Sequence, residues 1–295
     1  MSELHTITDG TLSVTLTTAG GSMTSIAAHG REYLWQGDPA VWSGQAPICF
    51  PICGGLRDGR AVTADGRAIE LGRHGFARKR AWVFAERGAR TAALKLASDA
   101  ETLAGYPFDF ELVARYELRD GALHISYEVT NPASAEGDLP FFIGGHPAFA
   151  CPLVAGEVYS DYLVRFERPE TATVPRAVVE TGLIDVADRT PGPQDGDVLA
   201  LSHELFAVSE TIYDQLTSRA VTLTNRAGTV GVRLRFPGMP YLVVWGKSTG
   251  DFVAIEPWGG LSTCSDEDDV FEHKRGLLVA HPGETVTRGF SIEVF

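Results

Sequence analysis

The 295-residue chain carries 25 Lys and Arg against 38 Asp and Glu, a net charge of −13 at neutral pH. That balance excludes a nucleic-acid or anionic-membrane surface, where phosphate contacts demand a cationic excess. With 44% hydrophobic and 21% charged residues, the composition is that of a globular protein with a substantial core, without a disordered, collagenous or membrane-spanning character.

The start, MSELHTITDG, has neither a basic segment nor an apolar run, so no signal peptide and a cytoplasmic location are expected. Strand signals follow at once. Leu12, Val14 and Leu16 alternate with polar residues, the period of two of a strand with one covered face. The stretch WSGQAPICFPICGGLRDG (42–59) is apolar and punctuated by Gly and Pro. It holds two of the four cysteines, Cys49 and Cys53; none of the four forms a C-x-x-C pair, and their apolar settings predict buried free thiols.

Polar residues first enter apolar company in GRHGFARKR (72–80), with His74, Phe76 and Arg78. Alternation then returns over eleven residues through Phe108, Phe110, Leu112, Ala114, Tyr116 and Leu118, turns at Asp120-Gly121, and continues through Leu123, Ile125, Tyr127 and Val129. This is a β-hairpin with a tight Asp-Gly turn. The next run, FFIGGHPAF (141–149), places His146 behind two glycines and ahead of a proline. Taken alone, a histidine in such a run is usually a hydrogen-bonded structural residue.

The loop RTPGPQDGD (189–197) is the one plausible linker, and it leads into the best helical candidate, VLALSHELFA (198–207). Strand alternation resumes at Val230, Val232, Leu234 and Phe236. In FVAIEPWGG (252–260), Glu256 ends an apolar strand and runs into Pro257 and Trp258. The acidic run SDEDDVFEHKR (265–275) reads as a solvated loop, and Val286, Phe290, Ile292 and Val294 close the chain with one more strand. No repeat and no βαβ alternation interrupts this pattern, which fits one antiparallel β domain of stacked sheets over 1–295.

A carboxylate at Glu256 is costly to bury unless its pKa rises, and an elevated pKa suits a general base near neutrality. Imidazole titrates near neutrality and can deliver a proton. Aromatic rings such as Phe76 and Trp258 offer faces for a sugar. His74, His146 and Glu256 also form a two-His-one-carboxylate set, so a mononuclear metal enzyme is one alternative.

Taken together, RHGFAR, GGHPAF and EPW, in that order and preceded by the 42–59 segment, resemble the aldose 1-epimerase (galactose mutarotase-like) family. The resemblance spans roughly residues 10–295. It implies a single all-β supersandwich, a free sugar as substrate, interconversion of its α and β anomers, no cofactor, no metal, and a monomer or homodimer. By motif position, His146 resembles the general acid and Glu256 the general base. His74 and Arg78 resemble substrate-holding residues, and Phe76, Trp258 and Gln45 are further candidates to hold the sugar. Two departures stand out: Gly55 occupies a place where the family often has arginine, with Arg57 a candidate substitute two positions on, and Ser209, beside Glu210, stands near a usual substrate-binding aspartate. A hexose-6-phosphate mutarotase, which Arg57, Arg73 and Arg78 keep open although the net negative charge lends it no support, and a non-catalytic sugar-binding protein are the alternatives.

Overall fold

The computed structural model describes residues 2–295, and the chain is almost entirely antiparallel β. The largest sheet has nine strands. Its spatial order is Val198–Ala200, Tyr162–Phe166, Ala220–Asn225, Gly231–Arg235, Thr285–Val294, Ala122–Thr130, Glu111–Arg119, Thr91–Ala97 and Val83–Arg87. The expected hairpin lies within it, with Leu118 opposite Leu123 and a two-residue turn at Asp120 and Gly121, both at positive φ. That is the primed turn geometry that matches the twist of paired strands. Burial alternates along both strands of the hairpin, so one face is covered and the other solvated.

The second sheet runs Thr211–Tyr213, Tyr241–Trp245, Phe252–Trp258, Gly144–Gly145 and Ile48–Cys49, and Ala148–Ala150 also pairs with Phe252–Trp258. Every residue of Phe252–Trp258 is buried, as expected of a strand covered on both faces. On one side Val253 and Ile255 enter the apolar core that continues into the nine-stranded sheet. The sheets meet closely at Gly145, where a Cβ would come within 2.6 Å of the Phe290 ring. On the other side Ala148, Phe252 and Ala254 form a separate cluster covered by Trp35, Val41, Trp42 and Trp245. This second covered face carries the cleft.

Two smaller elements flank it. A four-stranded sheet is built from Leu4–Thr8, Leu12–Thr17, Met23–Ala28 and Arg31–Glu32. A hairpin, Thr173–Val178 with Leu183–Pro191, brings its tip to the cleft mouth.

Three local expectations are corrected. The segment 198–207 is not a helix: Val198–Ala200 pairs with Tyr162–Phe166, and His203–Phe206 is a short 3-10 turn whose Leu205 N–H donates to Ser202 Oγ. Leu199 and Leu201 are both buried, the period of two of a strand. The one α-helix among the described residues, Ala100–Gly105, has six residues, too few to show periodicity. A reciprocal cap starts it, with Thr102 N–H donating to Asp99 and Asp99 N–H to Thr102 Oγ1. The acidic run is not simply solvated either. Glu267 and Lys274 pair at 3.0 Å with side chains 5% and 2% exposed, Asp269 pairs with Arg57, and Asp266 with Arg275. The charges of the run close on one another and on Arg57. All four cysteines are buried free thiols, as expected. Among the described residues no helix is long and apolar enough to cross a membrane.

Candidate active site

Strand register brings the two expected proton-transfer groups together. Gly144 lies opposite Trp258 and Ala148 opposite Ala254, so His146, midway between, falls across from Glu256. Alternate residues of a strand share a face, which places Glu256 with Ala254 and Trp258 on the cleft side. His146 Nε2 and Glu256 Oε2 are 3.2 Å apart. The contact is close but not aligned as a hydrogen bond, and both Glu256 Oε2 and His146 Nδ1 are buried without a partner. Arg78 Nε and Trp258 Nε1 of the same cleft lining are likewise unpartnered, as are His124 Nε2 and His203 Nε2 outside it; a concentration of unpaired buried polar atoms in one cleft fits a site with a catalytic or ligand-binding role.

Burial dominates the electrostatics of the pair. It holds the Glu256 carboxyl well above the ordinary carboxylate range, with nearby Glu210 adding to the effect. It pushes the His146 imidazole down to about 3, and Arg73 and Arg78 act in the same direction. Burial thus disfavours charge on both groups, the carboxyl and the imidazole alike.

His74 stands at right angles to His146, ring centroids 5.2 Å apart, on a left-handed backbone with φ +62°. Its Nδ1 accepts from Gly54 N–H at 3.1 Å and lies 3.3 Å from Cys49 Sγ. That acceptor role leaves the proton on Nε2. Burial, then His146, keeps its pKa well below the usual value, so His74 is a neutral N–H donor in the cleft lining.

The cleft encloses about 500 Å³. Of the residues expected to hold substrate, it includes His74, Arg78, Ser209 and Trp258 but not Phe76, Gln45 or Arg57. Phe76 packs into the core, stacked on Phe110 with centroids 5.7 Å apart. Gln45 Nε2 donates to the Thr24 and Trp35 carbonyls and braces the N-terminal sheet. Arg57 is held by Asp269 and by the carbonyls of Cys264 and Glu267. Trp258 is 1% exposed, so it forms floor, edge-on to His74, and not an open platform. The glycines of GGHPAF serve packing: a Cβ on Gly144 would lie 2.8 Å from the Trp258 ring, and Gly145 faces Phe290.

Several lining residues were not anticipated. Trp42 stacks on His146 at 5.3 Å and 25°, and Trp245 meets the same imidazole edge-on at 5.7 Å. Gly44 permits this, because a Cβ there would stand 2.3 Å from the Trp42 ring; the W-x-G spacing was the available signal. Lys247 donates to the Val41 carbonyl at 2.7 Å, tying the Trp42 loop to the second sheet. Arg73 pairs with Glu210 at 2.8 Å across the mouth. Among the described residues no three His, Cys, Asp or Glu side chains are arranged to hold a metal ion.

The antiparallel double-sheet scaffold is that of the galactose mutarotase-like proteins. The chain belongs to the aldose 1-epimerase family, whose sequence profile matches residues 3–292. It is 40% identical to the chromosomal LacX protein of Lactococcus lactis subsp. lactis over 289 residues, 96% of each chain. A galactose mutarotase related enzyme from Lactobacillus acidophilus superposes with a TM-score of 0.90 at 28% identity, covering 99% of this chain and 97% of that one. A galactose mutarotase-like protein from Lactobacillus casei does so with a TM-score of 0.90 at 25% identity, covering 99% and 100%.

Proposed function

We propose that the protein is an aldose 1-epimerase that interconverts the α and β anomers of an aldose, with Glu256 as general base and His146 as general acid. The observation that carries this reading is the 3.2 Å contact between a carboxyl and an imidazole, both buried and both in the cleft. Mutarotation removes a proton from the anomeric hydroxyl and supplies one to the ring oxygen. The bond between C1 and the ring oxygen then breaks to give the open aldehyde. Rotation about C1–C2 and reclosure, with both transfers reversed, yield the other anomer. One base and one acid suffice, and a pair holding a single proton has the right count. Moving that proton from Glu256 to His146 produces the carboxylate and imidazolium the reaction needs. His74 Nε2–H and Arg78 supply donors to the sugar hydroxyls, and Trp42 and Trp245 wall the imidazole from water.

Glycoside hydrolysis would call for two carboxyl groups at a set separation. The other carboxylate of the cleft lining, Glu210, is engaged by Arg73. The test is polarimetry or NMR saturation exchange on pure anomers of several aldoses. Acceleration of at least one is expected. No acceleration across a broad panel, with binding retained, would support a sugar-binding protein instead.

A further inference from the structure

We propose that Trp258 is a positioning residue for the base, its indole N–H standing beside the Glu256 carboxyl and donating to it once the carboxyl has given up its proton. This rests on the epimerase reading above and adds a residue that serves the reaction through Glu256.

Strand geometry sets up the pair. Glu256 and Trp258 occupy alternate positions of Phe252–Trp258, so their side chains leave the same face from backbone points about 7 Å apart. Both are 1% exposed. Each carries a buried polar atom without a partner: Oε2 of Glu256, an acceptor, and Nε1 of Trp258, which can only donate. Leaving a buried donor and a buried acceptor both unpaired is costly, and one bond between them removes both costs.

The ring is held from its other sides. Gly144 lies opposite Trp258 in the ladder, and a Cβ there would stand 2.8 Å from Trp258 Cδ1, the carbon bonded to Nε1. His74 meets the same ring edge-on, with centroids 5.4 Å apart. A tryptophan fixed in this way keeps the direction of its N–H.

The electrostatics agree with the geometry. Burial, then Cys49 and Glu210, push the Glu256 carboxyl up, while Trp258 acts on it as a hydrogen-bond donor and draws it down. The two atoms are not aligned as a hydrogen bond in the free cleft. An N–H donor gains most from an ionised acceptor, so the contact tightens as Glu256 becomes the carboxylate that a base must be. A carboxylate has two oxygens, and a donor on one leaves the other to take the proton of the anomeric hydroxyl.

The deciding experiment follows the Trp258 indole N–H resonance by NMR while the Glu256 side-chain carbon resonance reports ionisation of the carboxyl. The indole proton is expected to move downfield in step with that ionisation, and to lose the shift in Glu256→Gln. Trp258→Phe keeps an aromatic ring and removes the N–H. It is expected to lower kcat by about tenfold with KM little changed, the worth of one hydrogen bond to a charged group. The limb of the kcat/KM profile that requires the carboxylate is expected to move to higher pH, because the donor that drew the Glu256 pKa down is gone. A ring that serves packing alone would leave that limb and the indole shift unmoved. An indole resonance that stays fixed while Glu256 ionises, or a Trp258→Phe protein with the parent kcat and pH profile, overturns the proposal. If the resonance follows Glu256 but the parent anomerises no sugar, the epimerase reading fails and the indole–carboxyl bond stands.

Discussion

His146 and Glu256 touch at 3.2 Å because two interrupted strand segments, Gly144–Gly145 and Ala148–Ala150, keep one register against Phe252–Trp258. The ladder breaks only where the histidine sits. Its imidazole is thereby delivered beside a carboxyl that the same sheet buries.

That burial has a consequence for stability. Glu256 has its folded-state pKa raised, so its contribution is fully present below the ordinary carboxylate range and is lost as pH rises through the folded value. His146 is depressed from 6.5 to about 3, so its contribution is present above 6.5 and is lost as pH falls. Glu256→Gln removes only the first titration. Its melting temperature is expected to exceed that of the parent at pH 8 and to match it more closely near pH 4.5. An advantage that shrinks with rising pH in thermal unfolding series would contradict this account of the carboxyl.

Trp42 stacks over one face of the His146 imidazole and contributes to its burial. Trp42→Ala admits water, so the His146 pKa is expected to move up from about 3 toward its ordinary value. Turnover is expected to fall by about tenfold through loss of the positioned acid. Histidine-resolved NMR titration reads the first effect and saturation exchange the second. An imidazole that stays untitrated to pH 4 in the variant would show that the tryptophan is not what shields it.

Gly145 is a packing residue. Gly145→Ala places a methyl 2.6 Å from Phe290 in the layer between the sheets. Overpacking of this kind costs about 1–3 kcal/mol, read as a lower urea midpoint at unchanged slope. Gly72→Ala, where a Cβ meets nothing within 4 Å, is the control. Equal midpoints for the two variants would mean that the glycine is not required by that contact.

The architecture was legible wherever alternation was sustained. The hairpin from Glu111 to Thr130 and the closing strand Thr285–Val294 follow from period and turn chemistry alone. His146, Glu256 and His74 were legible as polar residues in apolar runs, and the family resemblance ordered them. What escaped depends on long-range contacts. Phe76 and Trp258 read as exposed rings, yet burial of an aromatic is decided by what packs over it from distant segments. Arg57 was separated from its true partner, Asp269, by the chain between them. Trp42 and Trp245 lie far apart in sequence and meet only when the 38–44 loop folds over the second sheet. The short helix and the 3-10 turn at His203–Phe206 are set by single capping residues, below the reach of a periodicity argument.

The central claim is that one carboxyl and one imidazole, sharing a proton, open and close a sugar ring. Saturation-exchange NMR on a turned-over anomer pair tests it directly, comparing the parent with His146→Ala and Glu256→Gln. Each substitution is expected to lower kcat by about 10²–10⁴ while folding and sugar binding persist. A variant of either residue that retains the parent rate would contradict the account.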